Sequence, residues 1–147
     1  MICTLRKMSA GDFQSAALLS RDLGYEAMPT QIEARLALIR ARPDNEVFVA
    51  ICEENVVGWC HVLGIRLIET DGYAELGGLV VAPNMQRQGI GTDLIAAAER
   101  WAIDAGYARL RLRSGVHREP AHQFYEAVGC VKSKASYVFE KRLRSDE

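Results

Sequence analysis

The stretch Gln86-Arg87-Gln88-Gly89-Ile90-Gly91-Thr92 separates two periodicities. Before it, Tyr73 to Ala82 is an apolar, β-branched run that reads as a strand. After it, Ile90, Leu94, Ile95, Ala98, Trp101, Ala102 and Ala105 recur on one helical stripe. Asp93, Arg100 and Asp104 occupy the other side, and Gly106 ends the helix. A strand that turns through glycines directly into a helix is suited to hold an anion. The first N–H groups of a helix have no internal partners, and the helix dipole favours negative charge there. The dipole contributes about 0.3–1 kcal/mol at an exposed end. Hydrogen bonds to charged oxygens, about 1.5–3 kcal/mol each, matter more. Gly89 and Gly91 lack Cβ atoms and let a phosphate approach the backbone, and Arg87 adds positive charge.

Two other phosphate loops fail on residues. A Walker A loop requires Lys after its last glycine, and Thr92 follows Gly91. A dinucleotide fingerprint, G-x-G-x-x-G, requires a third glycine where Leu94 stands.

Working outward, Ile2 to Met8 predicts a first strand, and Ser9 to Asp12 caps a helix ending near Leu23-Gly24. Pro29-Thr30 opens a second helix, with Ile32, Leu36 and Ile39 at helical spacing, that stops before Pro43. Val47 to Cys52 and Val56 to Ile68 form a hairpin around Glu53-Glu54-Asn55, and Thr70-Asp71-Gly72 is a turn. Beyond the long helix, Ala108, Leu110 and Leu112 alternate with Arg109, Arg111 and Arg113, a strand whose arginine face reads as solvated. Pro120 starts a short helix closed by Gly129, and Ser136 to Leu143 predicts a final strand. The order β-α-α-β-β-β-α-β-α-β mixes hairpins with helical crossovers, so the expected fold class is α/β, a mixed sheet with helices packed on it.

The 147 residues fit one domain over 1–147, large enough for a core without metal or disulfide staples. A net charge of -1 argues against a nucleic-acid partner. Cys3, Cys52, Cys60 and Cys130 form no C-x-x-C pair, so no metal site is expected. Cys52 and Cys60 lie in apolar runs and read as reduced core residues. With no signal peptide and no apolar stretch long enough to span a bilayer, the expectation is a cytoplasmic protein without a membrane partner.

Asn84 to Ile95 (NMQRQGIGTDLI) resembles the acyl-CoA loop of the GCN5-related N-acetyltransferase (GNAT) superfamily. Ala121 to Gly129 (AHQFYEAVG) is similar to that family's A-x-x-F-Y-E-x-x-G helix, and the element order matches its fold along nearly the whole chain. The resemblance implies transfer of an acetyl group from acetyl-CoA to a small-molecule or peptide amine, directly, in a ternary complex. The alternative is an acyl-CoA sensor of the same fold, and homodimers are frequent in the family. The implied cofactor contacts are Leu79, Val80 and Val81, to which the pantetheine arm adds as a strand beside a β-bulge; Gln86, Arg87, Gln88, Gly89, Ile90, Gly91 and Thr92; and Arg118, Ala121 and Phe124. Gly77-Gly78 is where strand pairing relaxes. Two positions depart from the family pattern: Arg118 stands where many members have Asn, and Cys130 where an aromatic residue is common.

Only a neutral amine attacks a thioester, and an amine of pKa ~10.4 is neutral in about one molecule in ~10³ at pH 7. A base is therefore useful. Glu75 is the base candidate, because period two puts it on the face of Gly77 and Leu79. Glu69, Asp71, His117 and His122 are weaker candidates. Cys60 and His61, as strand neighbours, face opposite sides and cannot act as nucleophile and base, so His61 reads as a strand histidine. Tyr125 matches the family tyrosine that protonates the leaving sulfur. A covalent route through Cys130 lacks an adjacent base. The acceptor loops are expected near Leu23 to Pro29, where Asp22, Glu26 and Glu33 could meet a cationic amine.

Overall fold

The computed structural model describes residues 2–144. They form two compact units, one up to Arg113 and one from Ser114 on. In the first, β1 (Cys3–Lys7), α1 (Phe13–Asp22), α2 (Pro29–Arg40), β2 (Asn45–Cys52), β3 (Asn55–Ile65), β4 (Tyr73–Val81), α3 (Ile90–Asp104) and β5 (Leu110–Leu112) follow in order. The sheet runs β1-β2-β3-β4-β5. β1 to β4 are antiparallel neighbours and β5 joins β4 in parallel. α3 is the crossover that a parallel β4–β5 pair requires.

Strand alternation sorts the core into two faces. On one, Cys60 is fully buried and its Sγ donates to the Leu94 carbonyl of α3 at 3.6 Å. Ile90, Leu94, Ile95, Ala98 and Ala102 form the buried stripe of that helix. On the other, Val47 and Val49 pack with Met8, Ala16 of α1 and Leu36 of α2, and Trp59 lies against this cluster. Arg6 of β1 ties in the start of α1 through two hydrogen bonds to buried Asp12, at 2.7 and 2.9 Å. These bonds hold the Asp12 carboxyl below its ordinary pKa.

Glycine ends three helices as the sequence predicts. Gly24, Gly106 and Gly129 all have positive φ. In each case the next residue donates back five positions: Tyr25 to Ser20, Tyr107 to Ala102, and Cys130 to Tyr125.

Two expectations are corrected. Cys52 is not a reduced core thiol, because it forms a disulfide with Cys3. The two residues stand directly opposite each other in the β1–β2 ladder, their Cα atoms 4.2 Å apart. A separation of 49 residues hides that adjacency from any local motif. The final strand over Ser136–Leu143 does not form. The second unit holds α4 (Glu119–Ala127), and residues 130–144 carry no regular secondary structure. β-propensity is realised only through ladder pairing and burial, and Tyr137 and Phe139 remain 91% and 94% exposed.

The β2–β3 hairpin turns on Glu53 and Glu54, at φ 50° and 70°. A two-residue turn of this hand favours Asn-Gly, since side chains in left-handed backbone are strained by about 1–2 kcal/mol each. The Glu53→Asn/Glu54→Gly double variant should gain about 1 kcal/mol in urea unfolding, with an unchanged m-value.

Candidate active site

The glycine turn forms as its residues require. Pro83–Met85 makes a short 3-10 turn after β4, and Gln86 Nε2 donates back to the Val81 carbonyl at 3.3 Å. Gly89 is the N-cap of α3, with φ 84° and no side-chain cap. The first donors of the helix are therefore not taken by a capping side chain. A Cβ at Gly89 would meet nothing within 4 Å, so the approach to these donors is open. Arg87 is held at φ 64°, strained backbone of the kind that concentrates at functional sites. Gln86, Arg87, Gln88, Gly89 and Thr92 are exposed, whereas Ile90 is buried and anchors the turn to the core.

β4 is irregular where the site lies. His61 pairs with Gly78 and Val62 with Leu76, which leaves Gly77 as an extra residue, a β-bulge. On the other edge, β5 pairs only with Ala74, Glu75 and Leu76. Among the described strands, none continues along that edge from Gly77 to Val81. Close approach favours glycine at both positions, most strictly at Gly78. A Cβ at Gly78 would lie 2.8 Å from the Trp59 ring, and one at Gly77 would lie 3.3 Å from His61 Nδ1.

The bulge splits the face expected for Glu75. Opposite Leu63, Glu75 keeps the face of Gly77, the one that also carries Trp59 and His61, whereas Leu79, opposite Cys60, points to the other side. Its carboxylate pairs with Arg113 at 3.5 Å.

A cavity of about 320 Å³ lies over the bulge, under α1, α2 and their connection. Ser20, Tyr25 and Glu26 line one side, and Trp59, His61 and Gly77 the other. Arg35 of α2 also lines it and has no ion-pair partner among the described residues, whereas Glu26 pairs with Arg21 at 3.9 Å. Trp59 Nε1 is buried without a hydrogen-bond partner. His61 Nε2 lies 3.0 Å from Asn45 Oδ1, and burial lowers its pKa. Arg35, Asn45, Trp59 and His61 escaped the sequence reading. The available signal was the same-face spacing of Trp59 and His61 opposite a Gly-Gly pair.

In the second unit, Arg118 is the N-cap of α4 and Ala121, Phe124 and Tyr125 follow on it. Tyr125 is half-buried, with its ring centroid 5.4 Å from that of Phe124. Burial raises its hydroxyl pKa, partly opposed by the Arg118 charge. The hydroxyl is therefore protonated at neutral pH and competent to donate. Cys60, by contrast, is pushed up to about 12 by burial and holds no thiolate at neutral pH.

Residues 14–130 match the family model described as acetyltransferase (GNAT) family. The aminoalkylphosphonate N-acetyltransferase of Salmonella typhimurium is 30% identical over 148 aligned positions, covering 97% of this chain and 92% of that protein. Solved structures share the fold at lower identity. The aminoglycoside N-acetyltransferase AAC(6')-Iy in complex with CoA superposes with TM-score 0.85 at 17% identity, over 96% of this chain and 95% of that one. A putative acetyltransferase from Agrobacterium tumefaciens gives 0.83 at 24%, over 94% and 99%. The glycine turn at the N-terminus of α3, the open edge of β4 and the matched length together identify the chain as a member of the GNAT acetyltransferase family, an acetyl-CoA-dependent N-acetyltransferase.

Proposed function

We propose that the protein acetylates a small primary amine that also bears an acidic group, of the aminoalkylphosphonate class, by direct transfer in a ternary complex. The observation that carries this reading is the placement of the cavity. It opens onto Gly77-Gly78 of β4, the strand that leads into the glycine turn. An acceptor in the cavity and a thioester on β4 would thus meet at one strand. Arg35 supplies an unpaired cation for a phosphonate, and the Salmonella relative over nearly the full length supports that chemistry.

The cofactor residues follow from the same geometry. The pyrophosphate of acetyl-CoA sits on the backbone donors of Gln86 to Thr92, with Arg87 as counter-charge. The pantetheine arm pairs along the free edge at Leu79, Val80 and Val81, as an added strand does. A backbone N–H there polarises the thioester carbonyl. The roles of Arg118, Ala121 and Phe124 as cofactor contacts and of Tyr125 as the acid for the departing sulfur rest on the likeness of Ala121 to Gly129 to the family's helix. Because acetyl-CoA is an intracellular metabolite, the proposed place of action is the cytoplasm.

2-Aminoethylphosphonate should release CoA thiol from acetyl-CoA, and simple alkylamines should be poorer acceptors. Arg35→Gln should raise KM for the phosphonate about 10- to 100-fold, the loss of one charge-assisted contact, with KM for acetyl-CoA unchanged. Equal rates for phosphonate and alkylamine would remove the acidic group from the acceptor class.

Gly89→Glu should weaken acetyl-CoA binding in calorimetry by more than about 100-fold, since it brings a carboxylate to the helix N-terminus. Gly89→Ala shares the left-handed strain of about 1–2 kcal/mol without the charge and should bind far better. Tyr125→Phe should lower kcat roughly 10- to 100-fold, the smaller end of general-acid effects, because a thiolate is already a fair leaving group. Cofactor affinity should not change; wild-type turnover would end the acid role.

A further inference from the structure

Among the described residues, His61 is the one titratable group that lines the cavity and also lies against Gly77 of the β4 bulge, and none of the roles above uses it. Its ring is fixed from one side. His61 Nε2 lies 3.0 Å from Asn45 Oδ1; with the amide oxygen assigned to that side, Nε2 carries the proton and donates to it. In the neutral ring the other nitrogen, Nδ1, then holds a lone pair. That nitrogen faces Gly77, where a Cβ would stand 3.3 Å from it. Gly77 is exposed and has no side chain, so the lone pair is open to the cavity at the bulge.

We propose that His61 Nδ1 is the proton acceptor for the substrate amine, with Asn45 as its positioning residue. The proposal rests on the cavity being the acceptor site. The substrate ammonium gives one N–H proton to Nδ1. The freed lone pair forms the N–C bond at the thioester carbonyl. As the C–S bond breaks, the leaving sulfur takes its proton from the acid proposed above, Tyr125, and the nitrogen's second proton restores that hydroxyl, giving the amide and CoA thiol. His61 returns its proton to solvent, so the net reaction releases one proton.

The surroundings suit this role. The charged groups lining the cavity are Glu26, already paired with Arg21, and Arg35, and Tyr25 is the other titratable one. On β4 the nearest carboxylate, Glu75, is held by Arg113. On β2, Val47 stands opposite His61, and Glu46, opposite Val62, is engaged by Lys7 and Arg40. Among the described residues, therefore, no anion is paired with the ring to trap it as imidazolium. Burial keeps it neutral at pH 7, able to accept a proton.

The first test needs no turnover. Nitrogen-15 NMR of the full-length wild-type chain should show His61 protonated at Nε2 and bare at Nδ1. Its titration should fall below the ordinary imidazole value, and added 2-aminoethylphosphonate should shift its resonances. A ring protonated at Nδ1, or one blind to the added amine, would overturn the proposal even if the enzyme proved active on other acceptors. In kinetics with acetyl-CoA and the best amine, His61→Gln should lower kcat about 100-fold and abolish the acidic limb of the pH profile, with acetyl-CoA affinity unchanged. Asn45→Asp should move that limb to higher pH, because a carboxylate stabilises the imidazolium. A purely structural histidine would move neither limb. If Glu75→Gln, rather than His61→Gln, removed the limb, the base would be Glu75. Inactivity of the wild type on phosphonates, with the His61 signatures intact on another amine, would overturn only the acceptor class.

Discussion

The β3–β4 ladder, with one residue too many on β4, is the constraint on which the site depends. Gly77 has no partner on β3, so each β4 side chain beyond it faces opposite to where an uninterrupted strand would aim it. The same irregularity lies where β5 stops pairing, so β4 turns from an interior strand into one with a free edge within a single residue. An unpaired edge is normally a liability. Here the same strand leads into a helix N-terminus that no side chain caps, and these two stretches of backbone are the ones the proposed cofactor site uses.

The rest of the unit holds that strand in place. α3 presses on one face, with Leu94 so close that a Cβ at Gly58 would lie 3.2 Å from its Cδ1. α1 and α2 cover the other face but leave a cavity over the glycine pair. Packing is tight on the α3 side and open over the glycine pair. The glycines at 77 and 78 serve both ends, since the Trp59 and His61 rings occupy the space that side chains there would fill.

Much of this was legible in the residues. The change of period after Pro83, the cap glycines at 24, 106 and 129, and the start of α2 at Pro29 are local, and each formed as expected. The hairpin at Glu53-Glu54 was read in the right place, although those residues are poor at the backbone geometry it needs. The failures all involve partners distant in sequence. Ser136 to Leu143 has strand composition but no ladder. Cys3 and Cys52 meet only because β1 and β2 pair in one register. Period two placed Glu75 with both Gly77 and Leu79; it keeps the first, and the bulge, marked only by Gly77-Gly78, turns the second away. The contact of His61 with Asn45 lies across the β2–β3 ladder, out of reach of any local pattern.

By itself, then, the chain of residues determined the order of elements up to α4, the glycine turn at the start of α3 and the family, because helix capping, periodicity and glycine geometry act over a few residues. Only the tertiary structure decided which side chains share a face at the bulge, which thiols meet, where β4 loses its neighbour and that His61 meets Asn45. Those depend on register between strands, and register is set by the packing of whole faces rather than by any short stretch of sequence.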